Sequence, residues 1–93
     1  TKIYFSIDES NPQTTLTIFP NPFKESTTVR LKETFARSGY AYSLYDCTGK
    51  VLSRKINQKN PEFNISKGEL AKGIYFLEID GISKLRGKLM ITE

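Results

Sequence analysis

From Thr14 onward the chain is a succession of short runs in which apolar and polar residues alternate, broken by Pro, Gly, Asn and Asp. No segment between them is long enough for a crossover helix, so neighbouring strands must run antiparallel. Seven such runs with no long helix predict an all-β fold in which two antiparallel sheets pack as a sandwich. A chain of 93 residues suffices for one domain of this kind with a modest core.

The middle of the chain turns on Leu44-Tyr45-Asp46-Cys47-Thr48-Gly49-Lys50. Asp46 can accept hydrogen bonds from backbone N–H groups two or three residues on, and Gly49 can take the positive φ that closes a tight turn. Tyr40, Tyr42 and Leu44 lead in on one face and Lys50 to Ile56 leads out, which predicts a hairpin with a loop of about four or five residues. Val51 and Leu52 cannot share one face of a regular strand, so a bulge is expected beside the turn. An Asp-x-x-Gly hairpin suits any antiparallel protein and names no function.

Before this hairpin, Leu16 and Ile18 alternate with Thr15 and Thr17 in a half-buried strand, Thr14 to Phe19. Pro20-Asn21-Pro22 stops it at a rigid corner, because the prolines fix φ and lack N–H donors while Asn21 is held extended by the proline after it. Phe23 is placed to fall back onto the core. Val29 and Leu31 share the inner face of Ser26 to Leu31, and Lys32 to Gly39 is predicted as a polar loop with Phe35 over one end of the core.

After the hairpin, Pro61 to Ile65 predicts a short fifth strand with Phe63 and Ile65 inward, Pro61 at its start marking an edge or a strand entry. Ser66-Lys67-Gly68-Glu69 has the capping-box spacing, which predicts one helical turn ended by Gly73, with Leu70 plugging the core. Tyr75, Leu77 and Ile79 face inward on an interior strand whose other side, Ile74 and Phe76, is also apolar. Asp80-Gly81 turns the chain into a last run, Lys84 to Thr92, with Leu85, Gly87, Leu89 and Ile91 on one side and Lys84, Arg86, Lys88 and Met90 on the other. Its three cations are either a recognition stripe or the charges that keep an edge strand from pairing.

Residues 1–13 read as a linker or the end of a preceding module, with the domain proper at 14–93; Ile3 to Ile7 alternates, and Asp8 to Gln13 is polar. Thr1 in place of Met suits an excised piece as well as a processed protein. No signal-peptide pattern and no apolar run near 18 residues occurs, so no direct helical insertion into a bilayer is expected. The net charge of +4 is spread without a basic run interleaved with stacking aromatics, which argues against nucleic acid. There is no His, the single Cys47 has no base beside it, and no paired carboxylates sit at a working spacing. No catalytic residue, cofactor or metal site is expected.

Taken together, Ile18-Phe19-Pro20-Asn21-Pro22-Phe23, the Asp46-x-x-Gly49-Lys50 turn, Leu70-Ala71-Lys72-Gly73-Ile74-Tyr75 and Lys88-Leu89-Met90-Ile91 resemble the type A C-terminal sorting domain of the type IX secretion system, over about residues 14 to 93. Each motif is weak alone; the order and spacing of all four carry the resemblance. The chain departs from the pattern at Ile91-Thr92-Glu93, where the family often closes on a basic residue, although Lys88 keeps its place before the aliphatics.

The resemblance implies an immunoglobulin-like sandwich of about seven strands and no catalysis. It implies an upstream cargo in the same chain, export through the periplasm and outer membrane to the cell surface or medium, and three kinds of partner: the type IX translocon, an outer-membrane shuttle barrel and a sortase-like cysteine protease. By analogy, cleavage falls in Asp8 to Gln13. Pro20, Asn21, Pro22, Asp46, Gly49, Lys50, Leu70, Gly73 and Tyr75 are expected to fix the fold. Lys84, Arg86, Lys88, Leu89, Met90 and Ile91 are expected to be recognised as a basic terminal strand, with strand pairing as one mode. The competing reading is a fibronectin-like or carbohydrate-binding module, disfavoured because most aromatic residues fall at inward positions.

Overall fold

The computed structural model describes residues 16–93. The linker, the run Ile3 to Ile7, the start of the first strand at Thr14 and the expected cleavage segment lie outside the described residues. The elements in order are β1 (Leu16–Phe19), β2 (Ser26–Leu31), α1 (Glu33–Arg37), β3 (Tyr40–Tyr45), β4 (Val51–Gln58), β5 (Glu62–Ser66), β6 (Gly73–Asp80) and β7 (Lys84–Ile91). They build two antiparallel sheets, β1-β2-β5 and β4-β3-β6-β7. This is an immunoglobulin-like strand order, with β4 added beside β3 at the edge of the larger sheet.

Period-2 alternation puts the core between the sheets. Val29 and Leu31 from β2 and Ile65 from β5 face Tyr40, Tyr42, Leu44, Leu77, Ile79, Leu85 and Leu89 from the other side. Full burial of one such side chain contributes about 1.5–3 kcal/mol. Tyr42 stacks on Phe63 with ring centroids 4.2 Å apart, tying β3 to β5 across the sandwich. The Tyr40 hydroxyl donates to the Asn60 carbonyl at 2.5 Å, and burial pushes its pKa up to about 12. Gly87 lets β1 pack closely over β7, since a Cβ there would lie 2.7 Å from Ile18 Cδ1 and that side-chain tip would have to shift.

The expected features near the first hairpin are present. Asp46 to Lys50 form a five-residue loop between β3 and β4, and the pairing shifts register between Leu44 and Tyr45, the bulge that Val51-Leu52 requires. β6 is an interior strand and Phe23 is buried, as expected.

Two expectations are corrected. Lys32 to Gly39 is not all loop: Glu33–Arg37 is a short helix. Phe35 and Ala36 are both buried, which helical backbone permits and the strict alternation of a regular extended segment does not. Gly39, at φ 94, ends the segment with its N–H on the Ala36 carbonyl at 2.9 Å. The capping box does not start a helix. Ser66 remains in β5 opposite Ser26, and Lys67 N–H continues the ladder to the Glu25 carbonyl at 2.8 Å. Gly68, at φ 52, then makes a tight turn in which Leu70 N–H meets the Lys67 carbonyl at 2.8 Å.

Candidate functional site

The residues expected to be recognised sit on β7, which pairs along its whole length with β6, from Gly73 opposite Ile91 to Asp80 opposite Lys84. Strict alternation leaves Lys84, Arg86, Lys88 and Met90 exposed and puts Leu89 and Ile91 in the core. The last two therefore support the strand from beneath.

β7 is an edge strand, but half of its outer edge is closed. Asn21 Nδ2 donates to the Lys88 carbonyl at 2.7 Å, and Met90 N–H donates to Asn21 Oδ1 at 3.0 Å. Phe23 N–H donates to the Met90 carbonyl at 2.9 Å, and Thr92 N–H returns to the Phe23 carbonyl at 2.9 Å. The corner thus lies against β7 as a short parallel partner, bridging Phe23 to Ile91. Both X–Pro bonds of the corner are cis. Thr27 Oγ1 donates to the Pro20 carbonyl at 2.6 Å, and the Phe23 side chain, 2% exposed, fills the core below. Sequence reasoning assigned Asn21 only an extended backbone; the amide side chain's likeness to a peptide unit explains why Asn suits this position.

The other motif residues act locally. Asp46 Oδ1 accepts from Thr48 N–H at 2.9 Å, Thr48 Oγ1 at 2.6 Å and Lys50 N–H at 3.0 Å, while Gly49 takes φ 94. The Thr48 hydroxyl and the Lys50 N–H hold the carboxyl of Asp46 below its usual range. Lys50 closes the loop through its backbone, and its side chain is exposed. Leu70 packs half-buried against the core, and Gly73, at φ 144, opens β6. The Tyr75 hydroxyl donates back to the Ala71 carbonyl at 2.5 Å, the tyrosine corner of immunoglobulin-like domains. That bond gives the Leu-x-x-Gly-x-Tyr spacing its purpose.

The outward face of the larger sheet is ordered in rows by register. Ile74 lies beside Met90; Val51, Tyr45, Phe76 and Lys88 form the next row; Arg54, Ser43, Glu78 and Arg86 the one after. Glu78 gathers three neighbours: the Tyr45 hydroxyl at 3.1 Å, Arg86 Nε at 3.2 Å and Lys84 Nζ at 3.7 Å. Burial pushes its carboxyl up, but the Tyr45 and Arg86 hydrogen bonds and the two cations outweigh it, so it stays below the ordinary range. Two of the three stripe cations are thereby answered within the domain, and Lys88 makes no ion pair among the described residues. Sequence reasoning did not single out Glu78, although a carboxylate two places beyond Phe76 on the outward face of a largely apolar strand was the available signal.

Among the described residues no group of three or more His, Cys, Asp or Glu could hold a metal, and no helix is long and apolar enough to cross a membrane. The family model described as "Secretion system C-terminal sorting domain" matches residues 17–92. No curated protein matches the chain.

Proposed function

The chain belongs to the type IX secretion C-terminal sorting domains, and from that premise we propose that it directs an upstream cargo protein across the outer membrane without catalysing anything itself. Membership implies a cargo in the same chain, the type IX machinery as partner, and export to the cell surface or outside. Beyond that, the proposed route runs through the periplasm to the translocon and a shuttle barrel, with a sortase-like cysteine protease cutting ahead of the domain. The recognised part is β7, by its outward side chains Lys84, Arg86, Lys88 and Met90.

The observation that carries this reading is the family match over nearly the whole described chain, joined to a terminal strand whose cations are displayed on a rigid sheet. A carbohydrate-binding module fits less well. Planar aromatics for a sugar would have to be grouped, whereas the exposed Phe19 and Phe76 lie on different sheets, and Arg30 covers the Phe19 ring at 4.9 Å.

The test is a periplasmic reporter fused ahead of the 93-residue chain in a bacterium with the type IX machinery. Reporter at the surface or in the medium, lost when the translocon is disrupted, is the expected outcome. Reporter held in the periplasm of the intact strain overturns the reading.

A further inference from the structure

Resting on the reading of the domain as a recognised label, we propose that its partner docks on the outward face of the four-stranded sheet. The partner is a protein surface presenting an apolar side chain flanked by carboxylates.

The clasp directs recognition away from the edge. The Lys88 carbonyl, the Met90 N–H and carbonyl, and the Thr92 N–H are already taken by Asn21 and Phe23, so a partner strand has little left to pair with there. The side chains of Lys88 and Met90 remain exposed on the face. What surrounds them is apolar: Ile74 beside Met90, Phe76 beside Lys88, and Val51 beyond Tyr45, with Phe76 43% exposed. Single exposed apolar residues are commonplace, but here they occupy adjoining rows on one sheet face. A shallow depression of about 360 Å³, lined by Tyr45, Phe76, Glu78 and Arg86, lies in the same place and admits one side chain. The Glu78 network fixes its polar wall.

Charge selects the occupant. Glu78 is saturated by Tyr45, Lys84 and Arg86, so it draws no further cation, while Lys88 at the rim lacks a carboxylate among the described residues. A partner carboxylate beside an apolar anchor completes both halves of the patch. A second copy would bring another Lys88 to the same rim and is disfavoured. An anionic lipid surface would meet Glu78 and Asp80, both outward on this sheet, and is disfavoured too.

The experiment compares export of the reporter fusion with thermal melting of the purified chain for three variants. These are the pair Phe76→Thr with Met90→Thr, the single Lys88→Glu, and Arg37→Glu on the exposed side of α1 as control. Expected is a loss of export of about tenfold or more for both face variants, with Lys88→Glu melting within about 4 °C of the parent. The control is expected to be exported normally. If the parent is not exported, the sorting reading itself fails and takes this proposal with it. If the parent and the face variants are exported equally, sorting stands and the docking face is refuted. Two further measurements close the alternatives: binding of the parent to phosphatidylglycerol vesicles that is lost in Phe76→Thr/Met90→Thr, or a dimer in sedimentation that Lys88→Glu abolishes, would each overturn a protein partner at this face.

Discussion

The larger sheet has two edges, and they are protected in different ways. β7 is closed over half its length by backbone and amide hydrogen bonds from the Pro20–Phe23 corner, anchored by a buried phenylalanine. Among the described residues β4 has no such cover. Its eight residues, Val51–Gln58, are almost all exposed, Ile56 at 58%, and its defences are Arg54, Lys55, two register shifts and Asn57 at φ 58. Charges and bulges discourage pairing with another strand, whereas a clasp removes the groups that would pair. The contrast teaches that β7 is the edge whose geometry is held constant.

Four measurements would break or sharpen this contrast. The largest effect is expected from Phe23→Ala, which empties the anchor of the clasp and should cost about 3–5 kcal/mol of stability in urea unfolding. A cost below about 1 kcal/mol would mean that the corner rests on β7 without supporting it. Asn21→Ala removes two hydrogen bonds at an exposed edge and should cost about 1–2 kcal/mol. The Met90 amide should then exchange with solvent faster while the Leu77 amide is unchanged.

Glu78→Gln addresses the outward tie between β6 and β7. The folded carboxyl lies below its ordinary 4.5, so its stabilisation is complete above the unfolded pKa and fades as pH falls through the folded one. The variant should therefore be less stable than the parent at pH 7, with the difference shrinking in acid. An unchanged pH profile would remove this tie from the account. Smallest of all, Lys55→Glu, which leaves the Arg54 hydrogen bond to Ser43 in place, should alter stability by no more than about 0.5 kcal/mol. By reversing a charge on β4 it should raise self-association in sedimentation, and a monomer at all concentrations would mean that Lys55 does not guard that edge.

The strand pattern was legible because burial on one face leaves a period-2 signature. Leu85, Gly87, Leu89 and Ile91 alternate with Lys84, Arg86, Lys88 and Met90 in the sequence and in the structure alike. The bulge was legible for the same reason, from two adjacent apolar residues that a regular strand cannot accommodate. Local signals failed where a long-range partner claimed the residue first. Ser66 has the spacing of a helix cap but is held in the ladder by Ser26, forty positions away in sequence. Phe35-Ala36 reads as loop until both need the same side of a backbone. The site suffered most. That Asn21 holds Lys88 and Met90, and that Tyr75 reaches Ala71, are facts of side-chain direction that no periodicity carries.

The reach of the Asn21 clasp has a bearing on timing. Its bonds span 67 and 69 positions, so the second strand of the sandwich can be born and partly folded while this corner still waits for its mate. Only when the segment beyond Lys88 has emerged can the corner shut and the displayed face take its final form. A polypeptide released before that point would lack this fastening altogether, so a closed corner implies that synthesis has run through β7.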